Sequence, residues 1–303
     1  MSFVGGVGYS NIDLIYSGLD RLPDKGEEIF ARGFSMQFGG GIPATMINLS
    51  RLGVESRIIT FAGHDLFSEF VKKTLNSYPV KTVNLYKGNK MPVVLSSTLL
   101  YCGDRSFISY TDGMDINDAV MDEVYENLKG AYVVDMHVGF LDVYKRLKKD
   151  GCIQIFDTGW EDDLTLEKYR DYLEIADYYI PNQKEAMKIT GTSSVEAAAD
   201  VLSEFFSDVT IKMDKEGCLL KNKDGIKIIS SVQNVKAIDA TGAGDAFMSG
   251  FIYGLYHHHP TEQCIKFGNV TGSACVQGMG CISNFVNEEQ LLEIAETLEV
   301  REL

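Results

Sequence analysis

The sequence predicts an α/β fold: a mostly parallel central sheet flanked by helices on both faces, with a small β-sheet projecting from it. Three observations carry this. From residue 117 to residue 180, helix-spaced apolar runs alternate with short strand-like runs, the spacing of βαβ units in a parallel sheet. Residues 28–38 and 93–110 instead alternate apolar and polar side chains, the pattern of paired strands in a half-exposed sheet. Finally, residues 239–247, DATGAGDAF, place small residues just before apolar positions Phe247, Phe251, Ile252 and Leu255, which recur at helical spacing. A chain of 303 residues can hold these elements in one large domain, and we read 1–303 that way.

In chain order, residues 3–9 are small and apolar, which suits a buried first strand, with Asp13 following near its end in NIDLI. Leu22-Pro23-Asp24-Lys25-Gly26 is a turn ahead of a strand pair over 28–38. Gly39, Gly40 and Gly41 then open a helix that runs through Met46, Ile47, Leu49 and Leu52 to a stop at Gly53. A strand over 57–62 leads through Gly63-His64-Asp65 into a helix over 66–75. The runs 93–100 and 106–110 flank Cys102-Gly103-Asp104-Arg105 and read as a hairpin. Next come a helix from 117 to 129, strand 131–135, a helix from 140, strand 153–156, helix 164–175 and strand 178–180. Trp160, in the loop DTGWEDD, reads as a packing residue. Strand 209–213 carries Lys212 and turns over 214–217 into 218–220. Residues 235–238, VKAI, read as a strand end before the glycine turn, and 262–277 as a late helix.

Composition removes several classes of function. A net charge of −15 argues against nucleic acid or an anionic membrane surface as a partner, and obliges an anionic substrate to find a local positive site. No apolar run is long enough to span a bilayer, and MSFVGGVGYSNIDLI has no basic start of a signal peptide. The six cysteines form no C-x-x-C pair and no metal spacing, and read as buried thiols in a reducing cytoplasm. Gly6-x-Gly8-x-x-Asn11 approaches a dinucleotide fingerprint but has Asn in place of the third glycine. His257-His258-His259 reads as a metal-binding run or, more plainly, as a solvated helix end.

The chemistry concentrates at residues 239–247. Gly242, Ala243 and Gly244 carry almost no side chain where a helix begins, so their N–H groups can meet an anion at the positive end of the helix dipole. An acid inside such a pocket makes sense if Asp245 works on a nucleophile that attacks a phosphoryl group held there. The helix terminus is expected to keep that carboxylate ionised. Pro181-Asn182-Gln183-Lys184-Glu185 follows a strand: as structure, Asn182 is an N-cap and Glu185 completes a capping box. As chemistry, the same pair offers hard oxygens to a hydrated magnesium ion.

The string D-A-T-G-A-G-D resembles the signature of the ribokinase-like (PfkB) carbohydrate kinases. The glycine loop ending in Arg51-Leu52-Gly53 resembles their other signature, and N-x-x-E at Asn182 and Glu185 stands in the family order, so the resemblance covers nearly the whole chain. It implies a ribokinase-like fold whose small sheet, drawn from about 12–38 and 93–111, is a lid over the substrate and a contact between two copies of a homodimer. It implies an ATP-dependent kinase acting on a hydroxyl of a small sugar or sugar-like molecule, with Asp245 as general base and Gly242, Ala243 and Gly244 as anion hole. Asp13, Gly39, Gly40, Gly41 and Thr45 would hold the substrate. Asn182, Glu185, Lys212, Gly217, Thr241 and Asn269 would serve ATP, with magnesium at Asn182 and Glu185 through water. Asp239, Cys275, Gly278 and Gly280 would hold a monovalent cation such as K+. Three departures stand out. Ala44 replaces the usual sugar-binding Asn, Asp214 replaces the first glycine of an L-G-x-x-G turn, and Gly41 stands where phosphosugar kinases often place Lys. A nucleoside kinase on the same fold, or a catalytically silent sugar-binding protein, are the rival readings.

Overall fold

A computed structural model describes residues 2–102 and 104–303, so the hairpin turn expected at Cys102 to Arg105 has Gly103 outside the described residues. The chain begins with β1 (Phe3–Val7), β2 (Asn11–Leu19), β3 (Gly33–Gly39), α1 (Gly41–Arg51), β4 (Ser56–Thr60), α2 (Leu66–Asn76) and β5 (Lys81–Asn84). There follow β6 (Val94–Tyr101), β7 (Asp104–Tyr110), α3 (Asp118–Leu128), β8 (Ala131–Met136), α4 (Leu141–Lys149), β9 (Ile153–Phe156), α5 (Leu166–Leu173) and β10 (Tyr178–Tyr179). The last part holds α6 (Gln183–Thr190), α7 (Val195–Leu202), β11 (Val209–Lys212), β12 (Cys218–Asn222), β13 (Gly225–Ile229), α8 (Ala243–Tyr256), α9 (Thr261–Cys275), α10 (Glu288–Glu296) and β14 (Val300–Glu302).

FVGGV is buried at every position, and β1 accordingly lies inside a six-stranded sheet of order β10-β9-β8-β1-β4-β5 whose pairings are all parallel. Alternate residues of β1 serve opposite faces. Val4 joins a cluster containing Ile42, Met46, Phe251, Phe267 and Leu291, whereas Phe3 and Val7 join one containing Val124, Tyr144, Tyr169 and Leu202. The helices therefore cover the sheet on both sides, as the βαβ spacing predicts. Beyond β10, the Lys212 N–H donates to Pro181 O at 2.9 Å, and β11 starts a four-stranded antiparallel sheet of order β11-β12-β13-β14. That junction brings Lys212 beside Asn182.

The small sheet has the order β3-β2-β6-β7, with β2 and β6 parallel and both outer pairs antiparallel. Its faces differ sharply. Leu14 pairs with Met36 and Ser97, Tyr16 with Phe34 and Leu99, and Ser97 in turn with Ile108, a row without a charged side chain. The other face carries Asp13 with Gln37 and Ser96, and Ser96 Oγ lies 2.9 Å from Ser109 Oγ.

Four expectations are corrected. Asp13 belongs to β2, not to the end of the first strand. Of the pair expected over 28–38 only the second half is a strand, because Phe30 is 85% exposed and alternation without a covered face gives nothing to pair against. Residues 235–238 form no strand; the Ile238 and Asp239 N–H groups donate to Val276 O at the end of α9. Trp160, expected to pack, is instead 56% exposed, with Lys188 Nζ 6.0 Å from its ring centre. No described helix is long and apolar enough to cross a membrane.

Candidate active site

Helix α8 starts at Gly242, whose φ of 76° lies in the left-handed region, and no side chain caps this end. Only glycine fits there, since a Cβ would lie 2.1 Å from that of Cys281. The preceding turn is held by Asp239: one carboxylate oxygen accepts the Thr241 N–H (2.9 Å) and hydroxyl (2.7 Å), and the other accepts the Gly280 N–H at 2.9 Å. Cys275 Sγ lies 3.6 Å from Thr241 O, and the Gly278 N–H donates to Cys275 O at 3.1 Å. The structure thus gathers Asp239, Cys275, Gly278 and Gly280 around one loop. The Ala243 N–H, expected to face an anion, instead donates to Ala240 O at 3.2 Å.

Asp245 lies in the first turn of α8 and meets the glycine loop at the start of α1. A Cβ at Gly41 would sit 2.9 Å from Asp245 Oδ1, so a side chain at position 41 would crowd the carboxylate. The same construction at Gly39 meets Asp13 Oδ2 at 2.9 Å, and at Gly280 meets Gln37 Oε1 at 3.1 Å. Both contacts come from the polar face of the small sheet, which therefore looks toward this end of α8. Gly40, with φ of 108°, lies so close to Tyr9 O that a Cβ would approach to 2.5 Å. Thr45 is buried at 1% exposure, its hydroxyl 3.2 Å from both Gly41 O and Asp245 O. Ala44 is fully buried.

A single lysine faces several acids here. Lys212 Nζ lies 2.7 Å from Asp157 Oδ2, and a Cβ at Gly244 would be 3.5 Å from that ammonium. The Lys212 side chain is 13% exposed; burial opposes its charge, but Asp157, Glu185 and Asp245 together raise its pKa. Burial and Asp157 push Asp245 up to about 7, with Lys212 pulling the other way. Burial thus opposes the ionised form of Asp245 that the helix terminus was expected to favour. Glu185 is likewise raised by burial and by Asp157, against Lys212 and Asn182.

The capping box at α6 is present. Asn182 Oδ1 accepts the Lys184 and Glu185 N–H groups at 2.9 and 3.0 Å, and Glu185 Oε2 accepts the Asn182 N–H at 2.8 Å. Gly217 and Asn269 meet at a neighbouring segment. A Cβ at Gly217 would strike Ile229 O at 2.0 Å, while Asn269 Nδ2 donates to Ile229 O at 3.1 Å and Ser230 O at 3.0 Å. Asp214 adopts φ of 51°, so the position still requires the left-handed backbone that glycine favours, and Gln183 Nε2 holds its carboxylate at 3.0 Å. The three histidines after α8 diverge. His258 Nδ1 lies 2.9 Å from the Tyr132 hydroxyl, while His257 packs on Tyr253 and His259 on Phe267. No group of His, Cys, Asp and Glu side chains suited to a metal ion occurs among the described residues.

Sequence reasoning missed Asp135 and Asp157. Each lies at or just after the carboxyl end of a central strand, β8 or β9, where ligands of parallel sheets gather. That rule was the available signal, but a lone Asp in a loop does not announce its neighbours.

The family model described as pfkB family carbohydrate kinase matches residues 1–288. The chain is 22% identical to the ribokinase of Lactococcus lactis, with 92% of each covered. It superposes with a TM-score of 0.83 on Arabidopsis thaliana ribokinase complexed with ribose and ATP, at 23% identity, covering 98% of this chain and 99% of that one. The nucleoside kinase of Methanocaldococcus jannaschii has a TM-score of 0.75 at 20% identity, with 98% of each chain covered. These likenesses establish a shared fold.

Proposed function

The chain belongs to the pfkB family of carbohydrate kinases and is an ATP-dependent carbohydrate kinase; within that activity, we propose that it phosphorylates a hydroxyl of a small, uncharged sugar or polyol with Asp245 as general base. The observation that carries this reading is the position of Asp245. It lies in the first turn of a helix with no side-chain cap, against the Gly41 loop and near Lys212. A base pushed up to about 7 is poised to take a proton at neutral pH.

The substrate hydroxyl attacks the γ-phosphorus of ATP as its proton passes to Asp245, and the β–γ bridging oxygen leaves with ADP. Donors at the α8 terminus and the Lys212 ammonium stabilise charge on the transferring group, so the chemistry is largely positioning and electrostatics. Lys212 also answers the requirement set by a net charge of −15, a local cation for an anionic ligand. Asn182 and Glu185 are assigned to a hydrated magnesium ion held through its waters, and the ion would supply charge neutralisation on the phosphate oxygens. Thr241, Gly217 and Asn269 are assigned to the nucleotide side, and the loop of Asp239, Cys275, Gly278 and Gly280 to a monovalent cation.

Asp13 and the glycine loop hold the sugar, under a lid formed by the small sheet. We assign the outer face of that sheet to a second copy of the chain. Phe34, Ile108 and Tyr110 are 60%, 69% and 58% exposed there, an apolar and aromatic stretch that a second copy would cover. Ile108→Lys should then give a monomer by sedimentation. Cys152, Cys218, Cys264, Cys275 and Cys281 are buried free thiols as expected, whereas Cys102, in the β6–β7 turn, is exposed; free thiols suit the reducing cytoplasm to which we assign the chain.

The test of function is ATP-coupled turnover against sugars, sugar acids, phosphosugars and nucleosides. Turnover of one neutral sugar, lost in Asp245→Asn, supports the reading. Preference for nucleosides would transfer the same machinery to the rival substrate, and sugar binding without ADP production would make the chain a sensor.

A further inference from the structure

The single tryptophan of the chain takes no part in the core, and none in the cluster around Asp245. Trp160 lines an open cleft of about 620 Å³, a volume that suits a small organic ligand. Helix α6 supplies another wall. Lys184, Met187 and Lys188 stand at i, i+3 and i+4, so they share one side of that helix, and each of them lines the cleft. Leu164, buried at 0% exposure, adds an apolar patch. Short-range bonds hold both edges in shape. Thr165 caps α5 by accepting the Lys168 N–H at 3.3 Å, and the Lys168 ammonium pairs with Glu161 and, at 3.0 Å, with Asp163. Gly191 ends α6 with φ of 68°, and the Thr192 N–H donates to Met187 O at 3.1 Å.

The charges of the cleft do not balance. Lys168 occupies Glu161 and Asp163, whereas neither Lys184 nor Lys188 forms an ion pair among the described residues. Asp162 is the one acid in the lining, which leaves it with a net positive charge in a chain of net charge −15. Lys188 Nζ stands 6.0 Å from the Trp160 ring centre, at the outer reach of a cation–π contact, so the two groups hardly satisfy each other. We propose that this cleft is a second ligand site, for an aromatic phosphate monoester: the ring packs on Trp160, Leu164 and Met187, and Lys184 and Lys188 hold the phosphate. Two ammonium groups one helical turn apart suit a dianion better than a single carboxylate. The site stands apart from the catalytic cluster, because Glu185 is buried on the Lys212 side of α6 while Lys184 and Lys188 are exposed. With no cysteine or histidine in the lining, its role is binding, not chemistry.

Trp160 makes the site self-reporting. Titration of the full chain with phenyl phosphate should change tryptophan emission saturably, with a Kd below about 5 mM. Inorganic phosphate lacks the ring and benzyl alcohol lacks the charge, so each should bind at least about tenfold more weakly. Benzoate, a monoanion, should fall between them and phenyl phosphate. Lys188→Gln should weaken phenyl phosphate binding about tenfold, and Asp162→Asn should tighten it about threefold, with kcat of the kinase reaction unchanged in both. Trp160→Leu, followed by calorimetry, should also weaken binding about tenfold. Saturating ATP and magnesium should leave the Kd unchanged. Displacement by ATP would place the cleft in the nucleotide site and overturn the proposal. Absence of saturation below about 5 mM would overturn it too, as would a Kd indifferent to both charge substitutions.

Discussion

Helices α6 and α8 both begin beside Lys212, and their first turns are built in opposite ways. At α6, Asn182 and Glu185 satisfy backbone donors reciprocally, and the Asn182 N–H is itself bound. At α8, the N-cap is a glycine, no side chain caps the turn, and the one acid present faces the glycine loop of another helix. The difference teaches how one cluster can both attract phosphate and hold a base. A closed terminus supplies rigid carboxylates, whereas an open one supplies directed N–H groups. The acid at the open end gains basicity, because burial and Asp157 push it up to about 7.

The comparison breaks most visibly at Asp245. Asp245→Asn keeps the shape of the open turn and removes the proton acceptor, so kcat should fall by ~10²–10⁴ in a coupled assay. ATP affinity should be unchanged or tighter, since a charge that repels phosphate has gone. For the native enzyme, kcat/KM should decline as pH falls through about 7, where Asp245 takes up its proton. Stability runs the other way. The folded pKa of about 7 lies above the ordinary 3.8, so this residue's contribution favours the fold below about pH 4 and is lost as pH rises through about 7. Asp245→Asn should therefore raise Tm at about pH 8, with the gain shrinking toward about pH 4. A lower Tm at both pH values would contradict the burial of a charged carboxylate there.

Gly244→Ala sharpens the open end. Its methyl group would reach ordinary contact with Lys212 Nζ, at 3.5 Å, so the fold should persist while transfer slows by roughly tenfold. Native kcat in this variant would remove Gly244 from the pocket.

The closed end should respond more mildly. Asn182→Ala removes the cap and should cost ~1 kcal/mol in denaturant unfolding. Glu185→Gln retains an oxygen to accept the Asn182 N–H, so stability should hold while the magnesium concentration for half-maximal rate rises. An unchanged magnesium titration with a lowered Tm would assign Glu185 to the cap alone.

What was legible in the sequence is what short-range backbone chemistry demands. Residues 239–245 spell a helix start that only small residues can make, and the structure puts Gly242 in the left-handed region there, with no room for a side chain. Asn182 and Glu185 are separated by one capping-box interval, so their mutual bonds follow from spacing. Alternation and βαβ spacing likewise carry the central sheet and the β6–β7 hairpin. VKAI shows the limit: its apolar run looks like a strand, but its backbone bonds to α9 instead of a neighbouring strand. Only the tertiary structure decided the protonation of the site. Asp135, Asp157, Lys212 and Asp245 are far apart in the chain and share one cluster, and burial together with the charges brought near them moves the pKa of Asp135, Lys212 and Asp245. Electrostatic coupling of that kind acts through space and not along the sequence, which is why a lone aspartate at a strand end carried no mark of its role.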